Sequence, residues 1–148
     1  MEDQRQDERL LTQVDEQTAV QEFDRFCRAA RLKMDRIRDE NSRRDLEGDR
    51  QYFIEEVMDG RITVDEEGWP TIHTDHDHPK LKAIKFDRRP KGSAWTAMDR
   101  VKKDKEMAKI YAAMAAACGL TGKELENLDA VDLESVQTVF MLFLGNRA

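Results

Sequence analysis

The apolar positions of this chain change period several times, and each change marks an element. Between residues 18 and 44 they fall at Phe23, Phe26, Cys27, Ala30, Met34 and Ile37, with Arg and Asp filling the gaps. Steps of three and four put such residues on one stripe of a helix, so the spacing predicts a single amphipathic N-terminal helix over 18–44. After Gly48 a shorter helix is expected over 49–58, carrying Phe53, Ile54, Val57 and Met58 on one side and ending at Gly60. The period then drops to two. Ile62 and Val64 alternate with polar residues, Asp65-Glu66-Glu67-Gly68 supplies turn chemistry, and Trp69 to His73 resume an extended run. Pro70 cannot donate to a ladder and is expected on an edge strand. A third strand is expected over 83–87, with Ile84 and Phe86 facing the same way. Three strands this short need a helix against their apolar face.

Ser93 is a suitable N-cap for the longest helix, whose stripe is Trp95, Met98, Val101, Ala108, Tyr111, Ala115 and Cys118. Its second half, IYAAMAAACGL, is apolar on nearly every side, and Gly119 ends it. Thr121 and Glu124 have the spacing of a capping box for a short helix with Leu125 and Leu128. Asp129 or Asp132 then caps a last helix reaching Leu144 and stopped by Gly145. Beyond Met1, residues 1–17 hold only Leu10, Leu11 and Val14 as large apolar groups and are expected as a flexible acidic arm. The expected fold is α+β and mostly helical: a small antiparallel sheet or hairpin (about 61–87) packed with a C-terminal helical bundle and a long N-terminal helix. Residues 18–148 form one domain, with 45–148 as its core.

Composition narrows the class. At 148 residues, 38% charged and 39% hydrophobic, the chain suits one modest core with charges on exposed helix faces. No apolar run approaches the roughly 18 residues of a membrane span, and the start MEDQRQDERLL has acids where a signal peptide is basic. A cytosolic protein without membrane contact is expected, with Cys27 and Cys118 as small buried hydrophobes. The net charge of −6 conceals segregation: eight bases and four acids over 23–44, eleven acids and two bases over 45–78, eleven bases and four acids over 79–109. Opposite blocks can satisfy each other within or between chains, or offer a basic stretch to an acidic partner.

Candidate chemistry is sparse. His73, His76 and His78 alternate with Asp75 and Asp77 in IHTDHDHP, donors that would suit a divalent ion; a solvated acidic loop is the simpler reading, because one short loop controls metal geometry poorly. There is no phosphate-binding glycine loop, no G-x-S-x-G and no nucleophile with its base, so no enzyme and no cofactor are expected. Nucleic-acid binding through the basic Lys80 to Lys109 face is an alternative, but the helix after Asp132 carries Glu134 and no base, unlike a groove-reading helix. What is left is an apolar surplus. In the last helix Leu133, Val136, Phe140 and Phe143 suffice for a core stripe, leaving Val139, Met141, Leu142 and Leu144 on other faces. An all-round apolar helix is either central to the fold or covered by a partner. The candidate partner-binding residues are Tyr111, Met114, Val136, Val139, Phe140, Met141, Phe143 and Leu144.

The C-terminal half, read in order, holds IKF, Arg89-Pro90, Gly92-Ser93, Met98-Asp99-Arg100, Gly119-Leu120-Thr121 and Leu128-Asp129-x-x-Asp132. That order, together with the DGRITVDEEGWP hairpin, resembles the tail assembly chaperones of long-tailed phages over about residues 59–145. The resemblance implies a non-enzymatic assembly factor of the infected host cytoplasm. Such a factor binds the tape measure protein, assists recruitment of tail tube protein and is often a homo-oligomer. A regulatory or nucleic-acid-binding phage protein using 80–109 and a metal-binding module at the His73–His78 loop are the alternatives.

Overall fold

The computed structural model describes residues 13–36, 38–76, 78–86 and 106–144. Helix α1 spans Glu16–Ala30, and its first turn is capped by Asp15, whose carboxylate accepts from the Thr18 amide at 2.7 Å. It ends at Arg31, held at φ 58°, where the Leu32 amide donates to the Cys27 carbonyl at 2.9 Å. This left-handed closure normally takes Gly. It turns the chain so that Leu32 is buried, and a 3-10 turn over Met34–Arg36 leads to α2, Glu40–Met58. The single helix expected over 18–44 is therefore two helices. Asp39 caps the second, accepting from the Ser42 amide at 3.0 Å and the Ser42 hydroxyl at 2.8 Å. Helix α2 runs through Gly48 and starts nine residues before the expected 49, because that cap lies upstream.

The core also takes in residues closer to the N-terminus than expected. Val14 packs against the core and its amide donates to the Met58 carbonyl at 3.3 Å, so residues 13–17 are not an arm; residues 1–12 lie outside the described part.

Gly60 (φ 79°) closes α2, and the sheet follows as β1 (Ile62–Val64), β2 (Pro70–His73) and β3 (Ala83–Lys85), antiparallel in the order β1-β2-β3. Ile62, Ile72 and Ile84 are in register and all buried, forming one row across the apolar face. Pro70 is in the central strand, not on an edge. It is tolerated as the first residue of β2, opposite Val64, where its carbonyl still accepts from the Phe86 amide at 3.0 Å. A one-turn helix, α3 (Pro79–Lys82), links β2 to β3 and buries Leu81.

Helix α4 (Glu106–Cys118) closes at Gly119 (φ 71°), with the Leu120 amide on the Ala115 carbonyl at 2.9 Å. The capping box forms as expected at α5 (Gly122–Glu126), and α6 (Ala130–Leu144) is capped by Asp129, which accepts from the Asp132 amide at 2.9 Å. The expected first half of the long helix, with Ser93, Trp95, Met98 and Val101, lies outside the described residues, as do Asp87 and Gly145. The described fold is mostly helical α+β, as the periodicity indicated.

Helix α1 packs on α2, α2 on α6, and the sheet presents its apolar face to them. Phenylalanine rings join these layers. Phe26 stacks on Phe53 at 5.0 Å and meets Phe143 edge-on at 5.2 Å, Phe23 meets Phe53 at 5.3 Å, and Phe86 beyond β3 reaches Phe143 at 5.7 Å. Burying each ring stabilises the fold by about 2–3 kcal/mol, and edge-on or offset pairs add about 1 kcal/mol.

The β1–β2 turn is seated on α1. Arg25 donates from Nε to the Asp65 carbonyl at 2.7 Å and from Nη2 to the Val64 carbonyl at 2.8 Å. Gly68 (φ +100°) lies so close that a Cβ would fall 2.5 Å from the Arg25 backbone oxygen and 2.8 Å from Ala29 Cβ. Gly48, by contrast, faces open space within α2. In urea unfolding, Gly68→Ala is expected to cost about 2–4 kcal/mol, whereas Gly48→Ala is expected to stabilise by about 0.5–1 kcal/mol. Equal effects would contradict the seating of the turn.

Candidate functional site

The apolar residues singled out for partner binding divide sharply by location. Met114, Val136, Val139, Phe140 and Phe143 are buried in the chain's own core and present no surface in this fold. The reason is geometric: α6 touches α2, α4 and β2 at once, so it is covered on more sides than a one-stripe helix. Val139 and Leu142, expected outside the core stripe, are fully enclosed, while Leu133, expected within it, is half-buried. Tyr111 keeps partial exposure and Met141 is 39% exposed; the side chain of Leu144 lies outside the described residues. The sequence reading missed Val131, which at 49% is the most exposed large hydrophobic residue among those described. Val131 and Met141 are about 15 Å apart along the helix, with exposed Glu134 and Gln137 between them. The outward side of α6 is therefore mixed rather than apolar.

Polar groups gather on the seam between α2 and α6. Arg61, just past Gly60, places Nη2 2.8 Å from Asp132 Oδ1 and Nε 3.1 Å from Glu56 Oε2. The second contact is too bent for a hydrogen bond and holds as an ion pair. One turn back on α2, the Tyr52 hydroxyl shares a 3.0 Å hydrogen bond with Ser135, whose hydroxyl also reaches the Val131 carbonyl at 3.3 Å. Burial raises the Glu56 carboxyl above its usual range, against the pull of Arg61 and Tyr52. Asp132 was expected only as a cap; its long-range role had no signal in local spacing. Together these contacts fix α6 against α2.

The histidines are spread rather than convergent. His73 lies on β2, with Nε2 2.8 Å from the Thr63 hydroxyl. His76 Nδ1 accepts from the His78 amide at 3.0 Å, and His78 Nδ1 accepts from the Lys80 amide at 3.2 Å, capping α3. Local backbone hydrogen bonds thus occupy one nitrogen of each of these two rings. Among the described residues, no three His, Cys, Asp or Glu side chains are grouped to hold a metal ion; Asp77 lies outside them. Both cysteines are half-buried and unpaired, and burial pushes each thiol up to about 12. Cys118 donates from Sγ to the Met114 carbonyl at 3.1 Å.

Two N-terminal helices and a C-terminal helix, enclosing one face of a three-stranded sheet and joined by a charged seam, define an α+β domain. None of its described helices is long and apolar enough to cross a membrane. No family model, no curated protein and no solved structure matches the chain.

Burial lowers the His73 pKa from its ordinary 6.5, so the folded state binds this proton less readily than the unfolded chain. The resulting stability is intact above that value and falls as pH drops below it, until the folded ring is protonated as well. Thermal unfolding is expected to show a lower Tm at pH ~5 than at pH ~7, with a smaller drop in His73→Gln. An unchanged drop in the variant would remove His73 as the cause.

Proposed function

We propose that this protein is a tail assembly chaperone of a long-tailed phage, acting in the host cytoplasm. It binds the tape measure protein and assists recruitment of tail tube subunits. The observation that carries this reading is the ordered series of signals from the DGRITVDEEGWP hairpin through Ile84 to Phe86, Gly119-Leu120-Thr121 and Leu128-Asp129-x-x-Asp132. In the fold, the described members of this series are strands, helix stops and caps. They specify architecture, as expected of positions shared by a family of binding proteins with no catalytic signature. On this reading, capture of a client helix falls to Tyr111, Val131 and Met141, which keep exposure while the other described candidates are buried.

Co-expression with the tape measure protein of the same phage tests the proposal. The tape measure is expected to be soluble with the wild-type chain and insoluble alone, and to lose most of that rescue with Val131→Glu/Met141→Glu. Both positions are exposed, so circular dichroism and Tm should stay near wild type. A tape measure equally insoluble with and without the wild-type chain would rule the function out. Full rescue by the double variant would move the contact elsewhere.

A further inference from the structure

The corner between α1 and α2 carries a concentration of exposed positive charge. From Arg28 to Arg44 there are seven bases and three acids, and all seven bases are exposed. Two of the acids serve the start of α2: Asp39 caps it, and Glu40 stands in its first turn. Among the described residues, no ion pair neutralises Lys33, Arg36, Arg38 or Arg44. An open cleft of about 610 Å³ lies at the same corner, lined by Met34, Asp35, Arg43, Glu47, Arg50 and Gln51. Its α2 wall follows the helical repeat from residue 43 to 51, about 12 Å of helix. Arg50, one of its lining residues, sits 5.5 Å over the Phe23 ring in the aromatic junction.

We infer that this corner is a docking surface for an acidic protein segment carrying an aliphatic side chain. Carboxylates suit guanidinium groups, which they can engage through paired hydrogen bonds. Met34, half-buried at the rim, offers an adaptable apolar contact. The choice of a protein segment over nucleic acid follows from the lining. No described aromatic residue lines the cleft for base stacking, and Asp35 and Glu47 interrupt its positive charge, which suits a segment with spaced carboxylates and an apolar side chain better than a uniformly charged phosphate backbone. The chain's net charge of −6 works against long-range attraction of any acidic partner. Attraction is therefore local, acting within a screening length of about 10 Å at moderate salt, which matches the size of the cleft. This surface lies on the α1–α2 linker and α2, away from the outward side of α6, so the inference stands without the chaperone reading.

Fluorescence anisotropy with the full chain tests it, using a labelled short Glu-rich peptide containing one Leu and, separately, a short DNA duplex. Saturable peptide binding that weakens with salt is expected. Lys33→Glu/Arg36→Glu should weaken it at least about tenfold, whereas Lys82→Glu/Lys123→Glu, the same charge change at exposed sites elsewhere, should alter it by less than about twofold. Circular dichroism confirms folding of both variants. Absence of saturable peptide binding, equal weakening by the two pairs, or tighter binding of the duplex than of the peptide would overturn the inference.

Discussion

Phe26 is the residue through which the rest of the fold communicates. Its ring stacks on Phe53 from α2 and receives the edge of Phe143 from α6, and Phe143 in turn approaches Phe86 at the end of the sheet. Five rings from four parts of the chain thus share one junction. In a domain this small, where net stability is of the order of 5–15 kcal/mol, a cluster in which each buried ring contributes about 2–3 kcal/mol decides whether the parts fold together. The same junction accounts for the fate of α6. A helix that supplies Phe143 to the rings, Val136 and Phe140 to the core and Asp132 to Arg61 has little apolar surface left to offer.

Directional contacts turn that apolar cluster into a specific arrangement. Arg25 grips the carbonyls of the β1–β2 turn, and Arg61 ties the end of α2 to α6. Burial alone would allow the helices to slide, since apolar contact is non-directional. A charged group held by two partners on different elements sets register instead. The loop closures obey the same logic: Arg31, Gly60 and Gly119 each adopt positive φ so that the next residue can close the helix behind it.

Much of the fold was legible because local chemistry decides it. Alternation found all three strands within about two residues, and the Thr121–Glu124 capping box and the Gly60 and Gly119 stops were readable from residue type alone. Three features were not. Arg31 in the left-handed region breaks the first helix at a residue that gives no breaker signal, while Met34 continues the apolar spacing into the linker. Pro70 escapes the edge rule by being first in its strand. The candidate surface on α6 was the least legible, because periodicity reports how many apolar residues a helix carries and not how many neighbours enclose it. Val139 and Met141 look equivalent in sequence, yet one is enclosed and the other is in solvent.

The central claim is that the N-terminal helices and α6 are one cooperative unit held at the aromatic junction. Native-state hydrogen exchange on Phe26→Leu tests this directly, since the substitution keeps an apolar side chain but removes the ring from between Phe53 and Phe143. The slow amides of α1, α2 and α6 should lose protection together and by a similar factor, about tenfold or more for a loss near 1.4 kcal/mol. Loss confined to α1, with α6 retaining its full protection, would contradict the account.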